Sequence, residues 1–300
     1  MSDQVGWGVL GAAHIAGRAL LASIAASRNG RVVAMASRNP QRAREMLAAY
    51  PEVRVLDSYE QLLADPEVDA VYNPLPNSLH GEWSIRALEA GKHVLCEKPI
   101  ALNAGEAEEM AEAATAAGRQ LMEAFMYRFH PAMRELVESV RDPIHVHAAF
   151  GFTARNAEDI RLNPALGGGA LLDVGCYTVS IARWILGEPE RVTASSRMRN
   201  GVDATTSVLL GFPGGATASV WSSLESAQIQ DLTVVTRDAV HRRTQAFNTQ
   251  EGEDPYRLMV ESFADSVISD RPVAIPMSES IANMRVLDTI REVASSESAP

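Results

Sequence analysis

Along the first 125 residues, short apolar and β-branched runs alternate with longer segments whose apolar positions return every three or four residues. That alternation is the pattern of a parallel sheet covered by helices on both faces. The runs predict strands over 5–10, 31–36, 54–56, 70–73, 93–96 and 120–123. Between them Ile15, Ala19 and Ser23, and later Ala104, Ala107, Met110, Ala111 and Ala114, recur at helical spacing and are expected to face the sheet. After Pro131 the rhythm changes to longer stretches of strand character at 144–153, 191–198, 205–212, 216–223 and 229–237. Short turns such as Phe212-Pro213-Gly214-Gly215 join consecutive members, which predicts antiparallel pairing. A helix is expected over 170–186, with two more over 256–269 and 278–294, and 295–300 reads as a frayed end.

The division this predicts is an α/β chain of two domains. Residues 1–125 form a doubly wound parallel sheet of the Rossmann type, and residues 126–300 form an α+β domain on a mostly antiparallel sheet, with the last helix free to pack back on the first domain. The 300-residue length and 46% hydrophobic content support two buried cores. A formal net charge of -11 opposes a grip on phosphate backbones, so nucleic acid is not an expected partner. No window reaches the roughly 18 apolar residues of a membrane span, and the start Met1-Ser2-Asp3-Gln4 lacks the pattern of a secretory leader, so a cytoplasmic location and no membrane are expected. Cys96 and Cys176 lack the close Cys or His companions of a zinc site, and no metal is expected.

The first strand runs into Gly8-Val9-Leu10-Gly11-Ala12-Ala13-His14-Ile15-Ala16, where a dinucleotide-binding fold turns tightly and delivers a pyrophosphate to a helix start. Counted from Gly11, Ala13 and Ala16 occupy the second and third glycine positions of G-x-G-x-x-G, and alanine at the third is an accepted variant. An NAD-specific protein usually carries an acid at the end of the second strand. Here Ser37-Arg38 and then Arg42 stand there, a hydroxyl and two guanidinium groups suited to a 2′-phosphate. NADP is therefore expected in preference to NAD; the alternative is that Arg38 and Arg42 form a solvated helix start.

Two segments at strand ends carry candidate chemistry: Asn73-Pro74-Leu75-Pro76-Asn77-Ser78-Leu79-His80 and Cys96-Glu97-Lys98-Pro99. A lysine there, at the ligand-binding edge of the sheet, can orient a substrate hydroxyl. In the second half, the glycine run Gly167-Gly168-Gly169 leads into a helix on which Asp173 and Tyr177, four apart, share one face. A phenol of intrinsic pKa near ~10 becomes a usable base beside an ammonium such as that of Lys98. Taken alone, Asp173 and Tyr177 are more often a helix-start charge and a half-buried aromatic, and only together with Lys98 do they rise above that reading.

These segments, with Gly91-Lys92-His93-Val94-Leu95 before Cys96-Glu97-Lys98-Pro99 and with Glu123-Ala124-Phe125-Met126-Tyr127-Arg128-Phe129-His130-Pro131, resemble the glucose-fructose oxidoreductase, inositol dehydrogenase and rhizopine catabolism family over nearly the whole chain. Within it the chain is most similar to the branch of NADP-dependent D-xylose dehydrogenases and dimeric dihydrodiol dehydrogenases. The resemblance implies an oxidoreductase acting on CH-OH groups of a small polar substrate, first of all an aldose. It also implies a large open sheet whose free face forms a homodimer or higher oligomer. Lys98 and Tyr177 are then the catalytic pair, with Asp173 assisting. Cofactor contacts come from Gly11, Ala13, His14, Ile15, Ser37, Arg38, Arg42, Pro76, Asn77, His80, Glu97 and Lys98. Arg161, in Arg161-Leu162-Asn163-Pro164, becomes a substrate contact, with surface charge as its alternative. Tyr127 and Arg128 either reach the substrate or pack at the domain junction. The chain departs from the family near 236–248, where Arg237, His241, Arg242 and Arg243 occupy a short polar stretch in place of a longer hairpin.

Overall fold

The computed structural model describes residues 4–156, 159–248 and 252–296. Its elements run β1 (Val5–Leu10), a π-helical turn (Ala16–Leu20) continuing as α1 (Leu21–Ala26), β2 (Gly30–Ala36), α2 (Pro40–Met46), β3 (Arg54–Leu56), α3 (Tyr59–Ala64), β4 (Ala70–Asn73), α4 (His80–Glu89), β5 (His93–Cys96), α5 (Ala104–Ala117) and β6 (Leu121–Glu123). They continue with α6 (Pro131–Ser139), β7 (Pro143–Thr153), a second π-helical turn (Leu171–Gly175) leading into α7 (Cys176–Leu186), β8 (Arg191–Arg199), β9 (Val202–Gly211), β10 (Thr217–Ser223), β11 (Glu225–Thr236), β12 (Val240–Arg243), α8 (Pro255–Ser269) and α9 (Met277–Ser296). Contacts group these into two compact units, one of residues 4–101, 105–129 and 252–280, the other of 102–104, 130–248 and 281–296.

The first unit is built on a six-stranded parallel sheet in the order β3-β2-β1-β4-β5-β6. Strands β1, β4 and β6 are buried along their whole length, which is why they read as continuous apolar runs and not as alternating ones. The register pairs Leu10 with Ala36, Ala36 with Leu56, Asn73 with Cys96 and Cys96 with Glu123. The loops that follow those residues therefore leave from one edge of the sheet. Helix α8 packs on this unit, its Phe263 ring 5.5 Å from the Trp7 ring inside the core. Truncating Trp7 would cost about 3–5 kcal/mol by the usual scale of large aromatic deletions.

The second unit holds a six-stranded sheet in the order β12-β11-β7-β10-β9-β8. Every neighbouring pair is antiparallel except β10 with β7, which run parallel because α7, β8 and β9 intervene in sequence and carry the chain back to the β7 edge. Val146, Ala148, Val208, Leu210, Ala218, Val220, Leu232 and Val234 alternate onto one buried face, against which α7 packs. The other face carries His145, His147, Thr217 and Ser219, joined by hydrogen bonds of 2.8–3.2 Å, and the exposed Leu209.

Two features differ from the sequence expectation. The polar stretch after β11 contains the edge strand β12, pairing Val240 with Val235 and Arg243 with Leu232; its short length and charged residues suit an unpaired edge. The helix expected over 170–186 opens as a π-helical turn at Leu171–Gly175 and becomes α-helical at Cys176. By length and composition the segment Pro164–Leu186 could cross a membrane, but 83% of its most apolar window is buried, as in the core helix of a folded domain.

Candidate active site

At the end of β1 the chain turns through Gly11 at φ +79°, where its N–H donates to the Ala36 carbonyl at 2.7 Å. A Cβ at this position would lie 2.9 Å from Leu75 Cδ2, so both the backbone angle and the close approach of the loop after β4 call for glycine. The Ala13 carbonyl accepts the N–H groups of Ala16 and Gly17 and starts the helical segment. His14 is exposed and Ile15 half-buried. The strand order reverses between β1 and β4, the switch point outside whose carboxyl ends an open α/β sheet binds ligands. The left-handed glycine, the helix start and this crevice fit a dinucleotide pyrophosphate, with Ala13 narrowing the approach by one methyl group. At the end of β2, Ser37 is buried and its Oγ accepts the Asn39 N–H at 3.1 Å, while Asn39 Oδ1 caps α2 by accepting the Arg42 N–H at 3.1 Å. Arg38 and Arg42, which follow Ser37, are exposed.

The loop after β4 is built from within. Buried Asn73 donates through Nδ2 to Ser84 Oγ at 3.0 Å and to the His80 carbonyl at 3.2 Å, and its Oδ1 accepts the Leu75 N–H at 3.3 Å. Pro76 precedes a 3-10 turn at Asn77–Leu79 that leads into α4, and Asn77 is half-buried. His80, 1% exposed, places Nδ1 2.8 Å from the Pro99 carbonyl and Nε2 2.8 Å from the Leu75 carbonyl. Burial pushes its pKa down to about 4 against the pull of those two carbonyls.

The loop after β5 is held as closely. Glu97 is buried and accepts the Tyr72 hydroxyl at 2.5 Å, Lys98 is half-buried, and the Lys98–Pro99 bond is cis. Glu123, at the end of β6, accepts the Ile100 N–H at 2.9 Å, and its pKa is pushed up to about 7 by burial, against the opposing pull of Ser280, the Ile100 amide, Arg128 and Lys98. Tyr256 of α8 is pushed up to about 12 by burial and by the charge of Glu97, with Arg18 and Lys98 acting the other way. Tyr127 is 1% exposed with its ring edge-on to Phe125, and Arg128 Nη1 lies 3.6 Å from Glu279.

In the second unit Arg161 Nε donates to Asp173 Oδ2 at 2.8 Å and its Nη1 to Asp159 Oδ1 at 3.2 Å. The Asp173 carboxylate is thereby oriented by a cation of its own unit. Gly169, at φ +126°, is required because a Cβ there would sit 2.1 Å from Asp203 Oδ1. Asp203 Oδ2 in turn accepts the Leu171 N–H at 2.7 Å and anchors the start of the π-helical turn. That turn is a common mark of functional helices. Tyr177 follows in α7, its ring 5.4 Å from Phe150 and 5.6 Å from Phe247, so the phenol stands on an aromatic floor. Among the described residues no group of three or more His, Cys, Asp or Glu is placed to hold a metal ion.

Several participants escaped the sequence reading. Tyr72 and Glu123 are polar residues in strands buried on both faces, and that incongruity is the signal that could have found them. Phe150, Phe247 and Tyr256 carry no comparable mark, because only folding brings them to Tyr177 or Glu97.

Residues 5–125 match the family model described as "Oxidoreductase family, NAD-binding Rossmann fold", and residues 130–240 match the GFO/IDH/MocA C-terminal domain. The chain is 38% identical over 320 aligned positions to a D-xylose 1-dehydrogenase (NADP(+)) of Haloferax volcanii, covering 98% of each chain. It is 39% identical to the trans-1,2-dihydrobenzene-1,2-diol dehydrogenase of Mus musculus, over 73% of this chain and 68% of that one. Among solved structures, a 3-ketoreductase from Actinomadura kijaniata in complex with NADP and TDP-benzene superimposes with a TM-score of 0.88 at 29% identity, covering 97% of this chain and 98% of that one. Both halves of the molecule thus match one lineage, and the chain belongs to the glucose-fructose oxidoreductase, inositol dehydrogenase and rhizopine catabolism (GFO/IDH/MocA) family of oxidoreductases.

Proposed function

We propose that this oxidoreductase is an NADP-dependent sugar dehydrogenase that oxidises an aldose at its anomeric carbon to a lactone, or in reverse reduces a carbonyl of a related sugar. The observation that carries the reading is the end-to-end likeness to an NADP-dependent D-xylose 1-dehydrogenase in a chain that carries Lys98 and Tyr177, the pair the family resemblance implies. When bound, NADP supplies the hydride acceptor; the protein's task is orientation and proton transfer. Residues 1–125 hold the cofactor through Gly11, Ala13, His14, Ile15, Pro76, Asn77 and Glu97, with Ser37, Arg38 and Arg42 taking the 2′-phosphate. Residues 126–300 hold the substrate and the dimer contact. Tyr177 takes the proton of the substrate hydroxyl as the C–H bond breaks, Lys98 orients that hydroxyl and favours the phenolate, and Asp173, fixed by Arg161, binds a neighbouring hydroxyl. The protein is proposed to be cytoplasmic and to pair through the free face of the second sheet, on which Leu209 is 51% exposed. A trans-dihydrodiol is the second substrate class, favoured by the likeness to the mouse enzyme.

The test is a panel of aldoses, keto-sugars and dihydrodiols offered with NADP and with NAD, read by reduced-nicotinamide absorbance. Turnover of an aldose with NADP, and kcat/KM at least tenfold lower with NAD, is expected. Oxidation confined to non-sugar substrates, or a clear NAD preference, overturns the reading.

A further inference from the structure

The segment that carries Lys98 is held from both ends of a single peptide group. The carbonyl of the Pro99–Ile100 peptide lies 2.8 Å from His80 Nδ1, and the N–H of the same peptide donates to Glu123 Oε1 at 2.9 Å. Both side chains are buried, His80 to 1% exposure and Glu123 to 0%, and neither is exposed to solvent or to a ligand from solvent. They come from different elements, the first residue of α4, which follows β4, and the last of β6; β4 and β6 are the two neighbours of β5 in the sheet. On the other side of Lys98, the Tyr72 hydroxyl holds Glu97. Two buried hydrogen-bonding side chains spent on one loop peptide need a reason, since each loses hydration on folding that a solvent-facing loop would not demand.

We propose that His80 and Glu123 are positioning residues that clamp the Pro99–Ile100 peptide and so set the direction in which Lys98 presents its ammonium. This rests on the assignment of Lys98 to the reaction made above. His80 does more than clamp. Its second nitrogen faces the Leu75 carbonyl at 2.8 Å, and because His80 itself follows the loop after β4, its bond to the Pro99 carbonyl ties that loop to the loop after β5. Neither carbonyl can donate; a neutral ring, the form burial favours, serves one of them at a time, and the clamp is the tautomer with its proton on Nδ1. The groups facing Glu123 are the Ile100 amide, Ser280, Arg128 and Lys98, and Cys96 lies beside it in the sheet register. Its carboxyl can accept from Ile100 whether or not it holds a proton, but it accepts more strongly when ionised.

The test compares Glu123→Ala with Glu123→Gln and His80→Ala with His80→Asn, since the glutamine keeps an acceptor and the asparagine a donor. In the cofactor-free protein, hydrogen exchange of the Ile100 amide is expected to rise at least ~10-fold in Glu123→Ala and to return towards wild type in Glu123→Gln. With NADP and D-xylose, the alanine variants should lose ~10-fold or more in kcat while both KM values stay within about threefold. The conservative variants should regain most of that rate, and the double alanine variant should be little worse than either single one, because both act on one peptide. Unchanged Ile100 exchange in Glu123→Ala, or a rate loss that Gln does not restore, overturns the clamp. If the alanine variants do not fold, exchange and kcat of Glu123→Gln and His80→Asn decide: Ile100 protection and turnover near wild type support the clamp, and a loss of both in either variant opposes it. Lys98→Ala is run alongside. Full activity in that variant means that the role of Lys98 is wrong, whereas an inactive Lys98→Ala with fully active clamp variants overturns the clamp alone.

Discussion

Within the first unit, the two ends of the proposed cofactor groove are built on opposite principles. At the nicotinamide end, Glu97, Pro99 and Ile100 are buried, and Tyr72, His80 and Glu123 fix the backbone on both sides of Lys98. At the adenosine end, Ser37 is buried but Arg38 and Arg42 are exposed, while Ser37 Oγ and the α2 cap on Asn39 order the backbone beside them. The difference teaches where precision is needed. Proton transfer demands a reacting atom placed within tenths of an ångström, which folding can supply in advance. Recognition of a phosphate needs charge within reach and tolerates side chains that settle on binding.

Breaking the nicotinamide end should have the largest effect. Lys98→Ala and Tyr177→Phe are each expected to lower kcat by about 10²–10⁴, the usual weight of acid-base groups, with the fold intact by circular dichroism. Next comes pH. Glu123, at about 7 in the folded protein against an ordinary 4.5, keeps its proton in the native state while the unfolded chain has lost it, so its contribution to stability falls as pH rises from 4.5 to 7. His80 and His93, both pushed to about 4 mainly by burial, act with the opposite sign: the unfolded chain protonates first as pH falls below 6.5, so they favour folding increasingly from pH 4 to 6.5. Glu123→Gln should therefore gain stability relative to wild type between pH 4.5 and 7, by up to about 3 kcal/mol, read from urea unfolding at both pH values. An equal difference at both ends would show that Glu123 does not titrate there.

At the adenosine end the effects are smaller and fall on a different constant. Replacing Arg38 and Arg42 together with Ala should raise KM for NADP about 10–100-fold, leave kcat nearly unchanged and barely alter the use of NAD. The wild-type preference should weaken with added salt, as exposed charges are screened. Asn39→Ala removes the α2 cap and should cost about 1 kcal/mol in thermal or urea unfolding, with a KM change of a few-fold at most. A large kcat effect from any of these would erase the contrast between the two ends.

Much of this arrangement was legible in the chain. The strands of the first sheet stand out because burial on both faces demands unbroken apolar runs, and the segments at their ends, Gly11, Ser37-Arg38, Asn73–His80 and Glu97-Lys98, lie at one sheet edge for the same reason. In the second unit the alternating strands were legible, but the parallel pairing of β7 with β10 was not, since strand neighbours far apart in sequence leave no local mark. Nor was β12, four residues of polar character whose strand conformation depends on the β11 edge beside it.

The amino-acid order alone determined the two kinds of sheet, one parallel and one mostly antiparallel, the turn that only Gly11 can make, and the residue types proposed for the chemistry, because these follow from local sterics and from the period of apolar positions. Tertiary structure alone decided what holds them: Tyr72 on Glu97, His80 and Glu123 on one peptide, Arg161 on Asp173, Phe150 and Phe247 under Tyr177. Those partners are 12 to 70 positions apart in sequence, as Arg161 with Asp173 and Phe247 with Tyr177 show. Hydrogen bonds and ring contacts reach only a few ångströms, so no pattern in the linear chain records them until packing brings the groups together.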